Sequence, residues 1–281
     1  MQNFRKALNL FPASLYGTYG GKRQLFAQAV LNLNNTIDLW FVDAETIGDR
    51  AFQQDAEAIL SQDERARRDR FRFPKLRRDF LITRWLVRNI LSERLSVPAR
   101  DLRFGTNAYG RPFLVAYPEL SFNISHTDGL IALAVAQTGE IGMDVERLQT
   151  GRATSALADY SFAASERAAL NAIAAEEFDE AFLTYWTLKE SYIKALGTGL
   201  STPLDSFSFS VEDEKSIGFK PPVQIADGSP PHFWLLRPRR THLCAVCVRH
   251  ASPPFTLTAC NVTPLNSKSA FDVTVLRCST D

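Results

Sequence analysis

Three carboxylates stand where two different periodicities bring them to a common side. Asp144 and Glu146 are two residues apart in Glu140-Ile141-Gly142-Met143-Asp144-Val145-Glu146, which reads as a strand, so both project from one face. Glu190 lies in Tyr185-Trp186-Thr187-Leu188-Lys189-Glu190-Ser191-Tyr192-Ile193-Lys194-Ala195-Leu196, where Phe182, Tyr185, Trp186, Ile193 and Leu196 recur at helical spacing. Trp186, Glu190 and Lys194 are four apart and share a side, with Lys189 flanking it. An oxygen-rich cluster suits a hard cation. Mg2+ takes a few carboxylates, keeps water, and completes its octahedron with substrate phosphates. Lys189, Lys194, Arg111 and His126 add basic groups around it. Acid for a metal beside base for phosphate points to a diphosphate substrate and transfer of a phosphoryl-linked group.

The elements that must position these groups follow from the flanking residues. Asp179 precedes the helix and is expected to cap it, and Gly197 to end it. Helices are expected over 155–160, 163–175 and 177–196, the last holding Glu190. Strands are expected at 37–42, 122–126 and 130–136, at the acidic segment, and at 207–211, 233–236 and 243–248. Gly142 is expected to bring bare backbone next to the site. Ser61 with Glu64 is a capping-box pattern, and Pro74 divides two helices in a basic stretch from 61 to 94. That stretch holds eleven basic against five acidic side chains, while the whole chain carries a net charge of only +1. The positive charge is therefore local, and an anion site competes with a plain solvated face as its explanation. Helices, then strands, then helices, then strands describe two similar α+β halves that divide near 137–140. Domain limits are placed at 1–36 (an unassigned extension, with a short helix at 24–33), 37–137, 138–250 and 251–281 (a second extension).

At 281 residues, 45% hydrophobic and 22% charged, the chain has an ordinary globular composition. No apolar run approaches the roughly 18 residues of a membrane span. The 4 Cys form no disulfide framework, which favours a reducing, cytoplasmic setting. Cys244 and Cys247, with His242 and His250 nearby, invite a zinc reading. In a strand, though, a spacing of three puts the two sulfurs on opposite faces, and core cysteines are expected. Trp40, Trp85 and Trp234 are read as core and Trp186 as packing. Glu166 is read either as an extra acid or as a surface residue.

Phe122-Asn123-Ile124-Ser125-His126, Ile141-Gly142-Met143-Asp144-Val145-Glu146 and Trp186-Thr187-Leu188-Lys189-Glu190-Ser191-Tyr192-Ile193-Lys194 resemble, in order and spacing, the signatures of the Sfp-type 4'-phosphopantetheinyl transferases. Tyr109-Gly110-Arg111-Pro112 and Gly197-Thr198-Gly199-Leu200-Ser201 fit as well, and the resemblance runs over roughly 38–250. It implies a fold of two similar, pseudo-twofold-related α/β halves with the active site in the cleft between them. It also implies transfer of phosphopantetheine from coenzyme A to a serine of an apo acyl, peptidyl or aryl carrier protein, with Mg2+. By that resemblance Asp144, Glu146 and Glu190 hold the metal, and Glu190, Lys194 and His126 act in catalysis. Lys189, Lys194, His126 and Ser125 touch phosphates of coenzyme A. Arg111, where the family usually has Lys, meets the ribose phosphate, and Arg65, Arg67 and Arg78 fall among basic nucleotide contacts. Met143 replaces a usual Ile or Val and should face away from the carboxylates. The expected form is a monomer, with no nucleic acid and no membrane as partner. A non-catalytic coenzyme A or nucleotide-binding module is the alternative, but it would not need the acidic set. An RNA-binding role for the arginines lacks any usual RNA motif.

Overall fold

A computed structural model describes residues 35–279, other than 48–49, 138, 150, 152, 212–214, 223–229, 252 and 264–266. The helix expected at 24–33 lies outside the described residues. The order of elements repeats. The first half runs β1 (Thr36–Asp43), α1 (Arg50–Ile59), α2 (Gln62–Asp69), α3 (Pro74–Leu95), the short hairpin β2 (Phe104–Thr106) and β3 (Pro112–Leu114), then the hairpin β4 (Ser121–Thr127) and β5 (Leu130–Ala136). The second runs β6 (Glu140–Arg147), α4 (Ser155–Ser161), α5 (Ala164–Ala172), α6 (Phe178–Leu196), the hairpin β7 (Ser208–Ser210) and β8 (Gly218–Lys220), then β9 (His232–Arg239) and β10 (His242–Arg249).

Pairing repeats too. β1 lies antiparallel to β5 and β5 to β4; β6 lies antiparallel to β10 and β10 to β9. After the second half come β11 (Thr256–Thr263), β12 (Ser267–Ala270) and β13 (Thr274–Cys278). β11 pairs parallel with β1 and β12 antiparallel with β11, while β13 pairs with β9. The sheets therefore read β12-β11-β1-β5-β4 and β13-β9-β10-β6. Residues 251–281, read from sequence as an extension without assigned structure, supply strands to both sheets.

Strand alternation explains how the layers stack. Ile37, Leu39 and Phe41 of β1 join Ala132, Ala134 and Ala136 of β5, Met143 and Val145 of β6, and Cys244 and Val246 of β10 in one core between the sheets. The small alanines let the sheets approach. The opposite face of the first sheet, with Ile131, Leu133 and Val135, packs on α3 through Trp85, Leu86 and Ile90. The opposite face of the second, with Leu243, Ala245 and Cys247, packs on α6 through Leu188, Tyr192 and Ile193. The result is helix, sheet, sheet, helix. Cys244 and Cys247 point into different cores, as the strand spacing requires, and burial pushes both thiols far above their usual range.

The local signals act as read at Ser61, which closes a reciprocal capping box with Glu64, and at Pro74, which opens α3. Glu64 also binds Arg84 and Arg88, and Arg88 donates to the Ala99 carbonyl at 2.6 Å. Burial raises the Glu64 pKa most, but Arg84, Arg88 and the Ser61 backbone N–H together outweigh it and hold the carboxyl below its usual value. Part of the basic stretch is thus internal structure rather than an anion surface. Asp179 does not cap α6, which begins at Phe178. Its carboxylate accepts instead from Gly151 N at 2.9 Å and Ala153 N at 3.3 Å, holding the loop that leaves β6.

Candidate active site at the seam of the two halves

β6 is an edge strand, and an edge strand carries unpaired amides that must be satisfied. Here the side chains of β4, the edge strand of the other sheet, do so. Ile141 N donates to Ser121 Oγ at 3.0 Å, Met143 N to Asn123 Oδ1 at 3.0 Å, and Val145 N to Ser125 Oγ at 3.1 Å. Those amides belong to residues whose side chains enter the core between the sheets. The intervening Gly142 and Asp144 therefore face α6.

Gly142 lets α6 come into backbone contact. A Cβ there would stand 2.0 Å from Ser191 O and 2.3 Å from Ala195 N. The glycine is thus read correctly as a site of close approach, but what approaches is the helix carrying Glu190 and Lys194. Gly142→Ala is expected to push α6 off β6, because backbone cannot yield cheaply. A shift near 1 Å costs about a hundredfold in turnover, and the overpacking costs about 1–3 kcal/mol. Single-turnover transfer and thermal melting of the variant check this; wild-type values in both would mean that α6 is not held by this contact.

Asp144 is 5% exposed. Its Oδ1 accepts from Lys194 Nζ at 2.6 Å and from Ser125 Oγ at 3.0 Å, and Lys194 Nζ also reaches Ser125 Oγ at 3.2 Å. Its Oδ2 is buried and has no hydrogen-bond partner. A buried carboxylate oxygen without a partner is costly and calls for an explanation, an absent ion being one. Glu190, half-buried, faces the same place. Burial raises its pKa, the nearby Asp144 carboxylate raises it further, and Lys194 only partly opposes them. Among the described residues no three His, Cys, Asp or Glu side chains are already gathered as a cage. All the candidate ligands are oxygens, which suits a hard ion that brings its own water and phosphate ligands.

His126 ends the same strand as Ser125 but turns outward. The protein around its ring lowers its pKa first, and the Lys194 ammonium lowers it further. Asp79, Asp144 and Lys75 are the other charges that reach it. Lys75, bound to Asp128 on the β4–β5 turn, is a basic group that the sequence left among many. Its position directly after the helix-opening Pro74 was the available signal.

Lys189 and Arg111 are held by protein partners. Lys189 is wholly buried and pairs with Glu166, itself wholly buried, at 2.8 Å. The ammonium also donates to the carbonyls of Leu204 at 2.6 Å and Phe207 at 2.8 Å, and it lies 4.4 Å from the Phe207 ring. Lys189 is therefore not a phosphate contact, and Glu166 is neither a surface residue nor an extra acid. Burial pushes the Glu166 carboxyl up and the Lys189 ammonium down, and each opposes that shift in the other. Arg111 is half-buried and donates to protein oxygens rather than standing free for a ribose phosphate. Arg65 donates to Glu57 O at 3.1 Å, Arg67 lies 5.7 Å from the Phe80 ring, and Arg78 meets Asp79 at 3.4 Å. None of these described contacts reaches the carboxylates. Trp186 stacks on Phe182 at 6.0 Å, as a packing residue should. A separate hollow of about 330 Å³, lined by Tyr185, Phe209, Phe219 and Lys220 among others, contains none of the site residues.

The fold and the seam define a two-half enzyme with an acidic strand, an acidic-basic helix and a Ser-His strand end. The model of the 4'-phosphopantetheinyl transferase superfamily matches residues 140–247, and that of the 4'-phosphopantetheinyl transferase N-terminal region matches residues 49–138. The chain is 36% identical over 172 residues to the 4'-phosphopantetheinyl transferase HetI of Nostoc sp., which covers 60% of this chain and 72% of that protein. It is 32% identical over 174 residues to the 4'-phosphopantetheinyl transferase Sfp of Bacillus subtilis, covering 62% and 75%. The chain belongs to the 4'-phosphopantetheinyl transferase family. Coenzyme A and a carrier protein are the substrates that this membership implies. A non-catalytic binding module is not supported. Among the described residues no helix is long and apolar enough to cross a membrane.

Proposed function

We propose that this enzyme transfers 4'-phosphopantetheine from coenzyme A to a carrier-protein serine at the β4–β6–α6 seam, as a Mg2+-dependent cytoplasmic monomer without nucleic-acid or membrane partners. The observation that carries the site assignment is Asp144, buried at the seam with one oxygen unpartnered and Lys194 on the other. Asp144, Glu146 and Glu190 would hold the metal. When bound, Mg2+ would supply positive charge against the diphosphate. Glu190 takes the proton of the serine hydroxyl as that oxygen attacks the phosphorus bearing pantetheine. The bond to the leaving phosphate breaks, and 3',5'-ADP departs. Lys194 meets the charge that builds on the leaving group. His126 and Ser125, at the end of β4, bind the diphosphate from the other side of the seam. Since both halves of the seam lie in one chain, no second subunit is needed to complete it.

The test is the intact mass of an apo carrier protein incubated with coenzyme A, Mg2+ and this protein. One phosphopantetheine per carrier is expected. Asp144→Ala is expected to abolish the gain while the protein remains folded, and it should weaken Mg2+ binding in calorimetry. An Asp144→Ala protein that transfers at wild-type rate in limiting Mg2+ would remove the residue from the site.

A further inference from the structure

The turn between β2 and β3 belongs to the first half, yet its side chains end on the second. It is organised from within. Asn107 Oδ1 accepts from Tyr109 N and Arg111 N, both at 2.9 Å, and Asn107 N donates to Arg111 O at 3.0 Å. Gly110 takes the left-handed φ of 87° that the turn requires. The turn thus presents the Asn107 amide and the Arg111 guanidinium side by side.

Both meet the end of α6. The last carbonyls of a helix have no partner within it, and a cation there is favoured by the helix dipole. Asn107 Nδ2 donates to Gly197 O at 2.8 Å, and Arg111 Nη1 to Ala195 O at 2.7 Å. The other arm of the guanidinium, Nη2, donates to Ser121 Oγ at 3.0 Å and Ile141 O at 3.2 Å. One planar fork therefore joins α6 beside Lys194, β6 three residues before Asp144, and β4 four residues before Ser125. The fit is close: at Gly197, with φ 73°, a Cβ would stand 2.9 Å from Arg111 Cδ and 3.1 Å from Asn107 Nδ2.

Resting on the site assigned above, we infer that Asn107 and Arg111 are positioning residues that clamp the end of α6 to the first half and so hold Lys194 and Glu190 against Ser125 and His126. Neither residue needs to touch coenzyme A for this. Asn107 carries no charge, which separates the clamp from a phosphate contact. Arg111→Lys replaces a fork with a point charge and should recover only part of the function.

The experiment compares Asn107→Ala, Arg111→Met and Arg111→Lys with wild type, using coenzyme A and dephospho-coenzyme A. Turnover is expected to fall about tenfold to a hundredfold in Asn107→Ala and Arg111→Met, as for a misplaced catalytic group. KM for coenzyme A should stay near wild type, the loss should be equal with the two substrates, and Arg111→Lys should fall between. Raised KM at unchanged turnover, with the effect absent in dephospho-coenzyme A, would overturn the clamp and make Arg111 a nucleotide contact. Amide exchange needs no transfer and reads the clamp separately from the assigned chemistry. Faster exchange over 193–197 is expected in Asn107→Ala and Arg111→Met. Unchanged exchange there overturns the clamp whether or not the wild-type protein transfers phosphopantetheine.

Discussion

Glu190→Gln is expected to collapse turnover by about a hundredfold to ten-thousandfold, the usual cost of losing a general base. The substitution keeps the shape and one oxygen while removing the proton acceptor. Coenzyme A should still bind within a few-fold of wild type, since the change does not touch the basic groups proposed to meet its phosphates. Lys189 turns into the core and is not among the cations around Glu190; burial and the Asp144 carboxylate raise the Glu190 pKa, and Lys194 opposes them. Calorimetric binding beside single-turnover transfer at saturating Mg2+ decides it. A variant that binds normally and transfers within about threefold of wild type lacks the loss expected of a base and leaves Glu190 a replaceable ligand.

Lys189→Met is expected to lose about 3–5 kcal/mol of folding stability, because it abandons the Glu166 carboxylate in a dry site. Glu166 would keep its bonds from Ala163 N at 2.9 Å and Phe209 N at 2.8 Å, but not its counter-charge. Replacing both partners, Lys189→Met with Glu166→Gln, should recover a large part of the loss, since no charge is then left unpaired. Denaturant unfolding of the single and double variants measures it. A phosphate-binding Lys189 would behave otherwise, with near-wild-type stability and a raised KM for coenzyme A.

These two residues show where a sequence stops being readable. Glu190 and Lys194 could be placed because residues four apart share a helix side whatever surrounds it. Asp144 and Met143 could be placed because strand faces alternate, and Cys244 and Cys247 fell into separate cores for the same reason. The two halves were legible because the same succession of helical and strand patterns occurs twice along the chain. Lys189 is one step from Glu190, and nothing local says that it turns inward; its partner Glu166 sits on another helix. Arg111 resembled a free cation in a turn because the carbonyls it serves lie on strand and helix far along the chain. Asp179 looked like a cap because it stands near a helix start, and the loop that claims it is 26–28 residues upstream. The roles that escaped the reading are all set by partners distant in sequence.

The placement of β11 and β13 has a consequence for how this protein can be cut and joined. The repeat invites separate production of the two halves, or fusion to a carrier domain at a shortened C-terminal end. Removing 256–278 would strip one strand from β1 and another from β9, leaving two open ladders on one molecule. Such a fragment has two adhesive edges that need not satisfy each other, and identical copies can join edge to edge without closing. Its expected fate is open-ended polymer rather than a defined dimer. A circular permutant that keeps both strands, opened instead at an exposed loop, is the sounder route to new termini.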